Sequence, residues 1–149
     1  MMGIDQFVGD RLYLDTNVFI HFVEGHPLYA DILQDLFVAI DEETITAVTS
    51  ELALTEVMIK PIANNRPDVA ATYAKLLAPG SALEVRPLDR ATLLRGAEIR
   101  AQFGGRAFDA IHVASAERAG CSTILSEDRR LAVPPPLQHV RLSELKGTA

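Results

Sequence analysis

The sequence has very little cysteine and no tryptophan. Of its 149 residues one is cysteine, and aromatic residues make up 6%. A single cysteine, Cys121, excludes an internal disulfide framework and a zinc site built from several cysteines, which favours a reducing cytoplasmic location. So few aromatic residues argue against a platform on which nucleic-acid bases stack. Apolar runs fall far short of the roughly 18 residues that cross a bilayer, and residues 1–10 lack the basic and apolar regions of a signal peptide.

Positive charge is also scarce. Fourteen lysine and arginine residues face twenty aspartate and glutamate residues, so the net charge is −6. This balance argues against a protein that coats DNA with a basic face. It is compatible with an enzyme that handles nucleic acid through a bound metal ion, because such an ion needs acidic ligands.

Strand and helix patterns alternate along the whole chain. β-Branched and apolar runs predict strands at residues 11–15, 44–48, 83–88, 122–125 and 140–142. Apolar residues at spacings of three and four, together with breaking residues, predict helices at 16–23, 29–40, 49–60, 66–77, 89–103 and 108–119, the third ending before Pro61. Without repeats or a linker, this alternation predicts one α/β domain over residues 1–149, with a core at about 11–142. Its central sheet is expected to be mainly parallel, with helices on both faces.

Acidic residues lie close to the predicted strand ends. Asp15 directly follows the first strand, and Asp128 lies three residues after Leu125, the end of the fourth. Glu56 falls inside an apolar helical run after the second strand, and Asp109 lies in the first turn of the helix before the fourth strand. Ligands of parallel sheets bind at the carboxyl ends of the strands, so the predicted topology can bring all four acids to one edge.

Each of these acids alone has a simple structural explanation, either at a helix N-terminus or in a solvated position. Four carboxylates together need more, because two of them about 4–5 Å apart repel by roughly 3–4 kcal/mol at an effective dielectric constant of 20. A folded protein tolerates that repulsion only with protonation or a bound cation. Oxygen ligands without a histidine or cysteine cluster favour Mg²⁺ or Mn²⁺ over zinc. The residues alone therefore predict a divalent-metal site that handles phosphate groups.

Four segments in this order resemble the PIN-domain ribonucleases, and within them the VapC-type toxins of toxin–antitoxin pairs. They are the runs LYLDTNV at 12–18, LTEV at 54–57, FDAIHVASA at 108–116 and LSED at 125–128. The resemblance spans about residues 11–142 and implies a three-layer α/β/α PIN-like fold with metal-dependent endoribonuclease activity. It implies that Asp15, Glu56, Asp109 and Asp128 are the catalytic, metal-binding acids.

The resemblance also implies supporting groups and partners. Thr16, Asn17 and Ser126 fall where the family has small polar residues that orient ligands or water, and Ser50 is a further candidate for that role. The expected partners are an RNA substrate, a cognate antitoxin protein that covers an apolar groove near the early helices, and a second copy of the chain in a homodimer. DNA is expected to be reached only through the antitoxin.

Three questions about individual residues remain open. The last segment reads Ser126-Glu127-Asp128 where the family usually has Thr-Asn-Asp, and we expect Asp128 rather than Glu127 to face the metal. Arg106 could hold a substrate phosphate or pair with an acid. His112 lies three residues after Asp109 on a neighbouring part of the same helix face, which suggests a metal or base role, but its apolar setting favours a packed, hydrogen-bonded structural histidine.

Other functions remain open on the sequence alone. A haloacid-dehalogenase-like phosphatase also begins from an aspartate at a strand end, but it needs a second aspartate two residues later, where this chain has Asn17. A phospho-receiver domain needs an acidic pair beside its first strand and a late lysine, neither of which is evident. A non-catalytic module that only assembles with an antitoxin would be expected to lose acids, and this chain retains all four.

Overall fold

A computed structural model describes residues 3–146 of the chain and contains a five-stranded sheet with six α-helices. The strands are β1 (Arg11–Leu14), β2 (Thr46–Ser50), β3 (Glu84–Arg86), β4 (Thr123–Leu125) and β5 (Gln138–Val140). The α-helices are α1 (Thr16–Glu24), α2 (Ala30–Asp41), α3 (Glu51–Ala63), α4 (Pro67–Leu76), α5 (Arg90–Phe103) and α6 (Ala107–Arg118). Short 3₁₀ helices occupy Ile4–Phe7 and Leu142–Glu144.

The strand order in the sheet is β3-β2-β1-β4-β5, and every neighbouring pair is parallel. The chain runs outward from β1 through β2 to β3 and then returns to place β4 on the other side of β1. In the register, Leu12 lies opposite Ala47 of β2, and Leu14 lies opposite Leu125 of β4. The strand order therefore reverses between β1 and β4, and a crevice forms at the carboxyl ends of strands at such a point.

Both faces of the sheet are buried. Successive side chains of β1 point to opposite faces: Leu12 and Leu14 belong to the core beneath α1 to α4, whereas Tyr13 belongs to the core beneath α5 and α6. The first of these cores also contains Phe7 and Leu145, which lie outside the predicted core of 11–142. The three-layer α/β/α architecture with a parallel central sheet is confirmed.

Several predicted element boundaries were wrong. Helix α3 continues past Pro61 to Ala63, because a proline in the last turn removes only one backbone donor and its ring is buried here. Strand β2 begins at Thr46, since the backbone N–H groups of Thr44 and Ile45 instead donate to the carbonyl of Ala39, near the end of α2. Strand β5 ends at Val140, before the predicted 140–142 segment is complete.

Within residues 3–146, no helix has the length and apolar character needed to cross a membrane.

Helices α5 and α6 pack closely because Gly96 has no side chain. A Cβ atom built at Gly96 would lie 3.1 Å from Cγ1 of Ile111 on α6. We expect Gly96→Leu to lower the free energy of unfolding by about 1–3 kcal/mol, because overpacking outweighs the better helix propensity of leucine. Urea denaturation measures the change. Ala91→Leu, at an exposed position of the same helix, should stay within about 0.5 kcal/mol of the wild type; equal losses in both variants would contradict the close-packing explanation.

Candidate active site

The carboxyl ends of β1 and β4 open onto a cleft of about 370 Å³. Its polar lining contains all four predicted acids, and we call it the acidic cleft. The lining residues are Asp15, Thr16, Asn17, Ile20, Glu56, Ile59, Lys60, Arg106, Phe108, Asp109 and Asp128. The topology therefore brings together acids that are spread over most of the sequence, whereas Ile59, Lys60 and Phe108 were not singled out from the sequence.

Asp15 lies in a fixed position at the base of the acidic cleft. Its backbone N–H donates to the carbonyl of Leu125 at 3.0 Å, which holds the end of β1 beside β4. Its Oδ1 accepts the backbone N–H of Thr16 at 2.8 Å and so caps α1. Its Oδ2 accepts the hydroxyl of Ser126 at 2.6 Å and, more weakly, the amide of Asn17 at 3.4 Å. A buried carboxylate with these donors has one orientation.

Asn17 and Ser126 join the start of α1 to the turn after β4. The Ser126 hydroxyl accepts the Asn17 side-chain amide at 3.0 Å and the backbone N–H of Asp128 at 3.2 Å. The Asn17 side-chain oxygen accepts the backbone N–H of Glu127 at 3.1 Å. These contacts set the direction in which the side chains of residues 127 and 128 leave the turn.

The turn directs Asp128 into the acidic cleft and Glu127 away from it. Asp128 Oδ2 accepts Nη2 of Arg106 at 3.0 Å. Glu127 accepts the hydroxyl of Tyr29 at 3.1 Å and the backbone N–H of Ser143 at 3.0 Å, on the other side of the turn. Burial alone would raise the pKa of Asp128, but hydrogen bonds from the backbone and side chain of Arg130 and the charges of Arg130 and Arg106 lower it.

Arg106 bridges two of the acids. It lies in an extended conformation before α6, after Gly104 and Gly105, which both have positive φ values (85° and 83°) that favour glycine. Its Nε donates to Asp109 Oδ2 at 2.9 Å while its Nη2 reaches Asp128, although the Arg106 side chain is 65% exposed. The sequence left open whether Arg106 holds a substrate phosphate or pairs with an acid, and in the structure it pairs with two acids. Burial raises the pKa of Asp109 even though Arg106 acts in the opposite direction.

His112 forms the floor beneath Glu56 and is fully buried. Its Nδ1 contacts the hydroxyl of Tyr13 at 2.7 Å, and its Nε2 lies 2.5 Å from Oε1 of Glu56. The same nitrogen lies 3.0 Å from the Thr16 hydroxyl and 3.6 Å from Oδ1 of Asp15. His112 is packed and hydrogen-bonded as predicted, but its partners are residues of the site, which the sequence analysis missed. Its position one helical turn after Asp109 was the available signal.

The contact between His112 and Glu56 changes the pKa of both groups. Burial by itself would lower the pKa of His112, yet the Tyr13 oxygen, the hydrogen bond to Glu56 and the carboxylates of Asp15 and Glu56 raise it well above its ordinary value. Burial would raise the pKa of Glu56, but hydrogen bonds from His112 and Thr16 and the charges of His112 and Arg106 lower it. The pair therefore favours a carboxylate beside an imidazolium.

Ser50 does not line the acidic cleft. It is buried at the end of β2, where its hydroxyl accepts the backbone N–H of Leu52 at 3.3 Å and caps α3. Its position therefore gives it a structural role at the start of the helix that carries Glu56, and its expected role toward ligands or water stays a prediction.

The donor set fits a hard divalent cation. The acidic cleft presents carboxylate, hydroxyl and amide oxygens and no sulfur, which is the ligand chemistry of Mg²⁺ and Mn²⁺. Among residues 3–146, however, no three histidine, cysteine, aspartate or glutamate side chains are arranged as a ready-made metal cage. Arg106 lies between two of the acids and His112 holds a third, so an ion would have to compete with existing partners. Mg²⁺ commonly needs only one or two protein carboxylates, with water and substrate completing its shell.

The parallel sheet and the acidic cleft at its switch point define an α/β protein with an acidic site. Residues 12–135 match the family model of the PIN domain, and the chain therefore belongs to the PIN domain family. PIN-domain proteins of the VapC type are generally nucleases, and PIN nucleases generally use divalent metal ions. Membership in this family shows that the haloacid-dehalogenase and phospho-receiver alternatives were wrong.

Solved structures with the same fold include proteins of toxin–antitoxin systems. The chain is 17% identical to a protein in DNA-bound VapBC from Salmonella typhimurium, with a TM-score of 0.69 over 89% of this chain and 98% of that one. It is 15% identical to a protein in DNA-bound VapBC2 from Rickettsia felis, with a TM-score of 0.68 over 88% and 98%. It is 18% identical to a protein in FitAcB from Neisseria gonorrhoeae, with a TM-score of 0.65 over 90% and 99%. No curated protein matches the chain significantly.

The bridge formed by Arg106 leads to a prediction about metal affinity. An incoming cation must displace the guanidinium from Asp109 and Asp128, and exposed ion pairs are weak, at about 0.2–1 kcal/mol each. We therefore expect Arg106→Gln to bind Mn²⁺ about two- to tenfold more tightly than the wild type, as measured by titration calorimetry. Arg118→Gln removes the same charge at the opposite end of α6 and should leave the affinity unchanged. Weaker binding by Arg106→Gln would show that Arg106 supports the ion instead of competing with it.

Proposed function

We propose that this chain is a metal-dependent endoribonuclease and the toxin component of a toxin–antitoxin pair. The observation that carries the proposal is the meeting of Asp15, Glu56, Asp109 and Asp128 in one cleft of a PIN domain. The toxin assignment is supported by the likeness in fold to proteins from VapBC and FitAcB. Cleavage of RNA by water, with no side-chain nucleophile, is the chemistry that such a site would perform.

The acids would hold Mg²⁺ or Mn²⁺. When bound, such an ion activates water and neutralises charge on a phosphodiester. Asp15 has both oxygens engaged by donors, but each carboxylate oxygen can accept more than one contact, so it can still bind a cation. Ser126 and Asn17 keep Asp15 in place, and Thr16 donates to Glu56 at 2.7 Å and keeps that side chain toward the cleft.

Arg106 is the residue that we assign to the substrate phosphate. Its guanidinium is exposed and pairs with Asp109 and Asp128, so a cation that engages these acids would free it. A guanidinium matches the geometry of phosphate oxygens through two parallel hydrogen bonds. The two glycines before Arg106 allow the backbone there to adopt conformations that other residues resist.

The antitoxin is assigned to an apolar groove of about 280 Å³ between α1, α3 and α4. Apolar side chains line most of it, and Glu56 lies in the linings of both this groove and the acidic cleft. A partner segment lying in the groove would therefore reach the acids. The apolar lining consists of Ile20, Val23, Val57, Pro61, Val69 and Tyr73. The proposal further includes a homodimer, contact with DNA only through the antitoxin, and a cytoplasmic location.

Substitution of Asp15 tests the proposed nuclease activity. Asp15→Asn keeps the size of the side chain but removes a charge at the centre of the site, so we expect at least about a 100-fold loss of RNA cleavage. The first measurement is a map of new RNA 5′ ends in cells induced to make either protein, followed by cleavage of the identified RNA with purified protein, with Mg²⁺ or with a chelator. The wild type should produce sharp new ends that require the metal.

The matched control is Asp31→Asn, which makes the same chemical change at an exposed position of α2 and should cleave like the wild type. Identical 5′-end maps for the wild type and Asp15→Asn, with both proteins folded, would contradict the proposal. That result would favour the alternative of a non-catalytic module that assembles with an antitoxin.

A further inference from the structure

A buried pair of side chains, Tyr13 and His112, lies directly beneath the acidic cleft. Both are fully buried in the core formed with α5 and α6, and the Tyr13 hydroxyl contacts Nδ1 of His112 at 2.7 Å. The opposite nitrogen of the ring faces Glu56 and Thr16. One imidazole therefore connects β1, the start of α1, α3 and α6. Asp15 lies between β1 and α1, α3 carries Glu56, and α6 carries Asp109.

We propose that His112, oriented by Tyr13, is a positioning residue that holds the Glu56 carboxylate in its place for metal binding. The inference rests on the proposed function, because it assigns a role toward the ion that the acidic cleft would bind. It adds residues that lie behind the acids and do not line the cleft.

The contacts of Glu56 explain why it needs to be held. Its side chain is 24% exposed and extends from the middle of α3, where a glutamate has several free rotamers. Oε1 receives two donors, the Thr16 hydroxyl at 2.7 Å and Nε2 of His112 at 2.5 Å. An ionised carboxylate only accepts hydrogen bonds, so Nε2 must carry the donated hydrogen. With Oε1 fixed from below, the carboxylate has a single orientation at the cleft.

Tyr13 fixes the ring in turn. A histidine ring can be turned so that either nitrogen faces a given partner, and a hydrogen bond to one nitrogen determines what the other can do. The Tyr13 hydroxyl on Nδ1 leaves Nε2 to face Glu56 and Thr16. This arrangement matches the general pattern in which partners behind metal ligands orient them.

Simple filling of space would not require a histidine at position 112. The ring is fully buried, where an unbonded polar group is costly and an aliphatic side chain would fill the volume without that cost. Both ring nitrogens of His112 are in use, and one of them contacts a proposed metal ligand. The residue type is therefore explained by the contacts at the site.

The experiment compares four substitutions in the full chain. His112→Gln places an amide near the position of Nε2 and can still donate to Glu56, whereas His112→Asn places its amide near Nδ1 and cannot reach it. Tyr13→Phe removes only the hydroxyl that orients the ring. Ser115→Ala removes a buried hydroxyl from the same helix as His112, outside the acidic cleft and the apolar groove, and serves as the control. For each protein, thermal denaturation, Mn²⁺ affinity by calorimetry and the Mn²⁺ concentration for half-maximal RNA cleavage are measured.

We expect His112→Asn to weaken Mn²⁺ binding about 10- to 100-fold, the range found for groups that orient metal ligands. Tyr13→Phe should weaken it to a smaller extent, and His112→Gln should recover most of the loss. The half-saturating Mn²⁺ concentration should rise in parallel, with cleavage restored at high Mn²⁺. A structural role alone would lower stability and the active fraction at every Mn²⁺ concentration without moving that midpoint.

The outcomes separate this inference from the proposed function. If all variants and the wild type share one Mn²⁺ affinity and one midpoint while Asp15→Asn binds no Mn²⁺, the positioning role of His112 is overturned and the proposed function stands. If the wild type itself neither binds Mn²⁺ nor cleaves RNA, the proposed function fails, and the inference fails with it.

Discussion

The fold has to hold four carboxylates at one edge of a sheet, and most features of the site follow from this constraint. Like charges in a partly buried cleft repel, so each acid needs donors or opposite charge in the folded protein. Asp15 receives three hydrogen bonds from neighbouring residues. Glu56 is compensated by His112, and Arg106 compensates both Asp109 and Asp128. The acids remain together because the surrounding residues meet these needs without neutralising the cleft completely.

The two cationic partners differ in how easily they can be replaced. His112 is buried, bonded at both nitrogens and surrounded by packed side chains, so removing it from Glu56 would leave buried polar groups without partners. Arg106 is mostly exposed and can return to water at small cost. The site thus combines a permanent support beneath Glu56 with an exchangeable ion pair at its mouth. In the proposed function the cleft accepts a cation, and this requires the second kind of partner.

The sequence predicted the acids, the parallel sheet and the helices on both faces, because these depend on local periodicity and on the fact that parallel strands end at one edge. The sequence did not predict features that depend on contacts between residues far apart in the chain. Pro61 stays helical because its ring is buried, and His112 acquires its role from Tyr13, 99 residues earlier in the chain. The cap that Ser50 forms on α3 is by contrast a local contact, with the backbone of Leu52 two residues later. Residue type and spacing thus predicted which acids meet in one cleft, whereas side-chain orientation required the packed structure.

The charge of the chain makes substrate binding depend on the cation in the proposed function. A protein with net charge −6 repels a polyanion at long range, and the four carboxylates of the acidic cleft add to that repulsion. The positive side chains that line the cleft are Lys60, which pairs with Glu24, and Arg106, which pairs with the acids. A divalent cation would weaken this repulsion, because it offsets part of the negative charge of the acidic cleft and frees Arg106 for a phosphate oxygen. Metal binding and phosphodiester binding are then coupled through one residue, and the acidity of the cleft keeps nucleic acid out until the ion is bound.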